Sequence, residues 1–142
     1  MKNVRSIAAQ LIANLQRQRG SLSTLLTEYS DHPEIPLLQE LCFGTCRWYF
    51  SLEFLLNKLV TKPLKAKDQD VQNLILVGLY QLKELEIADH AAVNETVAGT
   101  LTLNKPWAKP LVNAVLRNYQ RNQHKLSKEL AESPPSSKYS CP

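Results

Sequence analysis

Apolar residues recur every three or four positions along most of this 142-residue chain, which is the spacing that places them on one side of an α-helix. The first such stretch begins at Val4, and the last ends near Leu130. No run alternates apolar and polar residues in the way that a half-buried strand requires. The pattern therefore predicts an all-α fold, a helical bundle of about six or seven helices joined by short loops.

Polar residues mark several of the expected helix starts. Asn3 and Ser21 precede the first two helices, and their side-chain oxygens can accept hydrogen bonds from the free N–H groups there. Asp89 or His90 is expected to cap a later helix in the same way.

One uninterrupted apolar stripe runs from Leu37 to Leu59 and predicts a single helix of about six turns. Gly44 lies inside it, although a glycine within a helix costs about 1 kcal/mol relative to alanine. The close approach of another helix would explain why a residue without a side chain stands there. We expect Gly44 to mark such a contact.

Length and composition indicate one domain. A chain of this length buries enough surface to fold without a disulfide or a metal. We expect the domain to span residues 1–130, followed by a linker or the truncated start of an interdomain region at 131–142, which has two adjacent prolines and no periodicity. Three cysteines, no signal peptide and no long apolar run predict a cytoplasmic protein that binds no membrane.

Basic charge gathers at the two ends of the chain, although the net charge of the whole is only +4. Residues 1–30 carry four basic residues and one acid, and residues 104–128 carry six basic residues and no acid. If the two ends meet in the fold, they form one positive surface suited to a polyanion. Two ordinary solvated surfaces would explain the same distribution.

The last helix separates apolar from basic residues, and we expect it to run from near Lys109 to about Leu130 with Pro110 in its first turn. Its polar side carries four residues at intervals of four: Asn113, Arg117, Arg121 and Lys125. Like charges at that spacing repel by a few tenths of a kcal/mol per pair, so their presence favours a role in binding a polyanion. A solvated face neutralised by acids from elsewhere is the alternative.

Trp107 stands between Lys105 and Lys109, just before the last helix. We expect its ring to pack beneath the start of that helix. Stacking on an unpaired nucleic-acid base is the alternative.

The chain offers no clear site for bond-making chemistry. Cys42 and Cys46 are four residues apart and could supply two zinc ligands, but they fall on or beside the apolar stripe, where buried and inert thiols are expected. His90 and Glu95 could form an acid–base pair, although a capping histidine and an exposed glutamate explain them more simply. We expect no catalytic residue, metal or cofactor in this segment.

Four stretches together resemble a known family: LLQELCFGTCRW (37–48), LILVGLYQL (74–82), DHAAVNETV (89–97) and KPLVNAVLRNYQR (109–121). They are similar to the N-terminal NusB-like domain of the bacterial ribosomal RNA small subunit methyltransferase B family, from about Arg5 to about Leu130. The resemblance implies a NusB-like helical bundle. It also implies a parent enzyme whose separate C-terminal domain uses S-adenosylmethionine to methylate carbon 5 of a cytosine in ribosomal RNA.

On this resemblance, we expect the domain to bind small-subunit ribosomal RNA and to position it for the catalytic domain of the same chain. The residues expected to contact RNA are Arg5, Arg17, Arg19, Lys105, Lys109, Asn113, Arg117, Arg121 and Lys125. Asn113 could instead hydrogen-bond a neighbouring helix.

A free-standing NusB-like antitermination factor, which binds RNA together with a ribosomal protein and regulates transcription, is the alternative function. Arg117 stands where the last helix of that factor carries an acid, and this difference favours the methyltransferase branch.

Overall fold

Seven α-helices make up most of the part of the chain that the computed structural model describes, residues 3–17 and 20–134. They are α1 (Val4–Gln16), α2 (Leu22–Leu26), α3 (Ile35–Arg47), α4 (Tyr49–Leu59), α5 (Gln69–Glu84), α6 (Asp89–Thr102) and α7 (Lys109–Ala131). Short 3₁₀ turns follow α2 and precede α5 and α7. Those two ranges contain no strand, so the predicted all-α bundle of six or seven helices is confirmed.

Helix α5 lies at the centre of the bundle. It packs against α1, α3, α4, α6 and α7, and eleven of its sixteen residues are buried. Two of these are polar, Asn73 and Gln81, and both have hydrogen-bond partners inside the protein. Since an unpaired buried amide costs about 1–3 kcal/mol, those partners are part of what makes α5 stable at the centre.

Glycines allow two neighbouring helices to come close to α5. A Cβ atom at Gly44 of α3 would overlap the ring of Tyr80, so the predicted close approach at this glycine is confirmed. Tyr80 continues past the glycine, and its hydroxyl donates a 2.7 Å hydrogen bond to Glu40. On α5 itself, a Cβ at Gly78 would lie 2.8 Å from a methyl carbon of Leu116 in α7.

The prediction of one long helix from Leu37 to Leu59 is wrong. Trp48 has φ −105° and ψ 22°, outside the helical region, and it separates α3 from α4. The break redirects the chain, because α3 packs against α1 and α5 whereas α4 packs against α5 and α7. Apolar periodicity runs through the break because both helices bury a side against the same core.

Two of the three predicted caps are confirmed. The side chain of Asn3 accepts hydrogen bonds from the N–H groups of Arg5 and Ser6, and Ser21 accepts one from Thr24. The expected cap of α6 by Asp89 or His90 is wrong, because Ala88 holds the N-cap position and no side chain bonds there. Asp89 is instead the first helical residue, where an acid suits the positive end of the helix dipole.

Helix α7 begins at Lys109 with Pro110 in its first turn and ends at Ala131, close to the predicted bounds. Its helical geometry breaks once, at Asn122, where φ is −115° and ψ is 16°. The side-chain amide of Asn122 donates to the backbone carbonyl and to the side-chain oxygen of Asn118, at 3.0 and 2.6 Å. Residues 135–142, which hold Cys141 and most of the predicted linker, lie outside the described part of the chain.

Candidate nucleic-acid interface

The apolar side of α7 fixes the helix to the bundle. It packs against α4, α5 and α6. The buried residues on this side are Val112, Val115, Leu116, Tyr119, Leu126 and Leu130. Their spacing of three, four and seven residues leaves the opposite side of the helix facing solvent, and this is where the cations lie.

Five exposed basic residues form what we call the basic face of α7: Lys109, Arg117, Arg121, Lys125 and Lys128. Within residues 3–17 and 20–134, none of the five has a carboxylate at ion-pair distance. Among the described residues, no direct ion pair therefore neutralises these charges. The sequence left two interpretations of this basic repeat, polyanion binding and a solvated face neutralised by acids from elsewhere. The described residues do not provide the acids that the second interpretation requires.

Asn113 lies beside this face and touches it. Its side-chain oxygen accepts a 3.2 Å hydrogen bond from Nε of Arg117, one turn further along. The asparagine thus holds one guanidinium against the helix instead of bonding a neighbouring helix. The terminal nitrogens of Arg117 remain available for another ligand.

Lys105 differs from the basic face although the sequence groups it there. Its ammonium lies 3.1 Å from Asp68 and 2.7 Å from Asp70, and it donates to the backbone carbonyl of Lys67. Desolvation lowers the pKa of Lys105, but the hydrogen bonds to Asp70 and Asp68 outweigh it and the pKa lies above its ordinary value. These contacts join the turn before α7 to the start of α5. The charge of Lys105 is therefore already paired with two carboxylates.

Arg5 is the predicted contact that the structure places inside the protein. It is only 6% exposed, and its Nε donates a 3.1 Å hydrogen bond to the side chain of Gln81 in α5. Burial lowers the pKa of Arg5, while Glu95 and Glu34 act in the opposite direction. A guanidinium held this way cannot reach a phosphate on the surface, so we remove Arg5 from the interface.

A single positive surface would require the two basic chain ends to meet, and the described residues show no extensive contact between them. Helices α1 and α7 both pack against α5 and α6, but they share no extensive interface with each other. Arg17 is exposed just after α1, and Arg19 lies outside the described residues. All five residues of the basic face, as defined above, belong to α7.

Two basic residues near this face were not predicted as contacts. Lys128 follows Arg121 by seven residues, so two helical turns return it to the same side, and the sequence could have revealed it. Lys62 comes from the loop after α4 and lines a cavity of about 320 Å³ together with Ala114 and Asn118 of α7. Nothing in the local sequence pairs Lys62 with α7, because only the packing of α4 brings them together.

Trp107 is not packed beneath α7, contrary to our expectation. It lies in the 3₁₀ turn before α7 and is 53% exposed, while its neighbour Ala108 is fully buried. Ala108, and not the indole, is the residue of this turn that is buried at the start of α7.

The described residues give no support for a catalytic or metal-binding role of the cysteines or of the His90 and Glu95 pair. Burial raises the pKa of Cys42 to about 12, helped by the charge of Cys46, and burial raises that of Cys46 to about 11, so both thiols are poor nucleophiles and poor metal ligands. In the described ranges, no three His, Cys, Asp or Glu side chains gather in a way that could hold a metal ion. His90 and Glu95 are both exposed.

A second cavity lies elsewhere and is mostly apolar. It measures about 660 Å³ and opens between α1, α2, α3 and α4, where Leu15, Phe43 and Tyr49 are among its lining residues. Its ionisable lining residues are Cys46, Arg47 and Tyr49. No helix within residues 3–17 and 20–134 is both long and apolar enough to cross a membrane.

Comparisons with known proteins agree with this architecture. The NusB family model matches residues 2–121. The ribosomal RNA small subunit methyltransferase B of Klebsiella pneumoniae (strain 342) is 46% identical over 134 residues, which are 92% of this chain and 31% of that protein. The protein of the same name from Citrobacter koseri is 44% identical over 136 residues, 93% of this chain and 32% of that one.

The chain thus spans about a third of the length of the curated relatives that it matches. The family match covers α1 to α6 and the first half of α7, including Arg117 and Arg121 of the basic face. From this match, we conclude that the chain belongs to the NusB family.

Proposed function

We propose that this chain is the RNA-binding domain of a ribosomal RNA methyltransferase, and that it positions small-subunit ribosomal RNA for a catalytic domain in the same cytoplasmic protein. The observation that carries the proposal is the basic face of α7, where five exposed cations have no carboxylate partner in the described ranges. The relatives that match nearly the whole chain are named as small-subunit ribosomal RNA methyltransferases, which supports RNA as the polyanion.

Methyl transfer itself is assigned to the remaining two thirds of such a protein. S-adenosylmethionine would supply the methyl group there, and the resemblance implies carbon 5 of a cytosine as the acceptor. The residues described here do not fit that cofactor: Gly44, Gly78 and Gly99 lie within helices at close contacts, and Gly20 is a single glycine between α1 and α2, not part of a glycine-rich nucleotide-binding loop.

The basic face acts through phosphates. Lysine and arginine side chains that neutralise phosphates release bound counterions, so affinity falls as salt rises. Contacts of this kind fix where and how the RNA lies without reading its sequence. Arg117 and Arg121 are one helical turn apart, about 6 Å along the axis, so the two guanidinium groups can engage phosphates side by side.

Charge reversal on α7 tests the proposal. We expect the double variant Arg117→Glu, Arg121→Glu to bind small-subunit ribosomal RNA fragments about 100-fold more weakly, since each charge-assisted hydrogen bond contributes about 1.5 kcal/mol. Fluorescence anisotropy across a salt series measures the effect. Circular dichroism checks that the variant remains folded, as exposed positions should allow.

The matched control reverses two cations away from α7, Arg47→Glu with Lys65→Glu. Both residues are exposed; Arg47 lines the apolar cavity between α1, α2, α3 and α4, and Lys65 lies just before the 3₁₀ turn that precedes α5. The net charge changes equally in the two variants, so we expect the control to bind within about 5-fold of the parent if α7 carries the contacts. Equal weakening in both variants, or RNA affinity that does not depend on salt, would contradict the proposal.

A further inference from the structure

We propose that Trp107 is a stacking platform for an unpaired RNA base, placed where the basic face of α7 begins. The inference rests on the proposed function and makes it more specific, because it selects single-stranded RNA over a perfect duplex. Trp107 lies outside the set of residues predicted above to contact RNA. It would contact a base, whereas the basic face would contact phosphates.

The two tryptophans of the chain show why Trp107 is available. Trp48 is half-buried, and its ring is flanked by the guanidinium of Arg47 at 5.5 Å and the ammonium of Lys83 at 5.9 Å. Trp107 is 53% exposed, and within residues 3–17 and 20–134 no aromatic ring stacks on it and no cation lies over it. An indole with a free face in water is unusual for so large an apolar group, and a base can cover it.

Several contacts hold the backbone of the turn that carries Trp107. The backbone N–H of Lys105 donates to Thr100 at 2.9 Å, and its ammonium binds Asp68 and Asp70. On the other side of the tryptophan, Ala108 is fully buried. Pro106 has a fixed φ, which removes further freedom from this turn. A pre-ordered turn loses little backbone entropy when a base stacks on the indole that it carries.

Charge complementarity identifies the occupant. Lys109 follows Trp107 by two residues at the first position of α7, where the helix dipole also favours a phosphate. Arg117 lies about 12 Å further along the helix axis, so an RNA strand that runs along the basic face reaches Trp107 at its end. Aromatic stacking combined with a track of cations is the arrangement by which proteins bind single strands.

The geometry also separates a base from a general apolar partner. Leu101, at the end of α6, is 60% exposed and offers apolar surface in the same part of the chain but no π-face. A base would stack on the indole of Trp107 and would gain little from the aliphatic side chain of Leu101. A protein segment that covers apolar surface would use both residues.

The test compares Trp107→Ala with Leu101→Ala in the 142-residue chain. The probes are a fluorescein-labelled single-stranded RNA of about 12 nucleotides and a duplex of the same length, since single-strand sites span about 4–16 nucleotides. We expect Trp107→Ala to weaken binding of the single strand about 10-fold, and Trp107→Phe to weaken it no more than about 3-fold, because each stacked base contributes about 1–3 kcal/mol. Leu101→Ala should leave the affinity for the single strand unchanged.

Intrinsic fluorescence gives a second readout that does not depend on affinity. In a Trp48→Phe variant, emission comes from Trp107 alone, and we expect a saturating single strand to quench it while the duplex does not. Equal losses for both probes in Trp107→Ala, equal losses for Trp107→Ala and Leu101→Ala, or unquenched emission would overturn the stacking role. If Trp107→Ala has no effect while Arg117→Glu with Arg121→Glu still weakens binding, stacking fails and the proposed function stands.

Discussion

Helices α1 and α7 both come from basic ends of the chain, yet they treat their arginines in opposite ways. Arg5 in α1 is 6% exposed and bonds a glutamine in the centre of the bundle, whereas Arg117 and Arg121 in α7 face solvent without a carboxylate partner in the described ranges. The difference comes from how much of each helix is buried. Every residue from Val4 to Ala9 is buried, but α7 buries one side only.

The net charge of a segment therefore does not determine whether its charged side chains are buried or exposed. Arg5 is stabilised by a neutral hydrogen-bond partner and by more distant carboxylates, so it serves the fold. The arginines of α7 have no comparable structural role and are free to serve a ligand. Substitutions in the two helices test this division between structural and ligand-binding charges.

Arg5→Ala should lower the free energy of unfolding by about 2–3 kcal/mol, because it removes a buried side chain and leaves the side-chain oxygen of Gln81 without its donor. Urea denaturation measures the loss, and Arg117→Ala, at an exposed site, should change it by less than about 0.5 kcal/mol. RNA affinity of the folded Arg5→Ala protein should equal that of the parent. A large loss of affinity with no loss of stability would return Arg5 to the interface.

Asn3→Ala should lower the free energy of unfolding by about 1–2 kcal/mol, because Asn3 accepts two hydrogen bonds at the start of α1 and donates one to the carbonyl of Glu95. Thermal denaturation followed by circular dichroism measures it. Ser21→Ala is the matched control, since it removes a single cap from the short and largely exposed α2. A smaller loss for Asn3 than for Ser21 would mean that the N-terminus of α1 contributes little.

Arg121→Gln should weaken RNA binding about 5-fold and should reduce the slope of log affinity against log salt by about 0.7, the value for one phosphate contact with a single strand. Its stability should be unchanged within about 0.5 kcal/mol, because the side chain is exposed and unpaired. Binding isotherms at four salt concentrations give both numbers. An unchanged slope would remove Arg121 from the phosphate contacts.

Lys105→Gln and Lys109→Gln should separate a structural cation from a binding one. We expect the first change to lower stability by about 0.5–1 kcal/mol, an effect reduced by salt, and to alter RNA affinity less than about 2-fold, because the ammonium already binds Asp68 and Asp70. The second change should leave stability unchanged and weaken RNA binding about 3-fold. The opposite assignment of effects would show that the acids do not hold Lys105 during binding.

Much of α7 could be predicted from the sequence, because its apolar and basic residues fall on opposite sides at helical spacing. The burial of Arg5 could not be predicted in this way. Residues on the second side of α1 include Ser6, Ala9 and Ala13, which are small enough for other helices to approach, and all three are buried. Periodicity identifies the apolar stripe of a helix, but small residues decide whether its other sides are buried as well.

Other differences have equally local causes. The break at Trp48 leaves the apolar spacing intact, so a stripe read along the chain passes through it. The pairing of Lys105 joins residues about 35 positions apart, and the approach of Lys62 to α7 depends on how α4 packs. Long-range contacts of this kind are set by tertiary packing, which a pattern along one helix does not contain.

The break at Asn122 has a consequence for the shape of any bound polyanion. It separates Arg117 and Arg121 from Lys125 and Lys128, and the family match ends one residue before it. The helix changes direction there, so a ligand that touches all four cations must curve with it. Bending a stiff double helix costs energy over such a short distance, whereas a flexible strand follows the curve at little cost. On the proposed function, we therefore expect the basic face to favour a flexible strand over a stiff duplex.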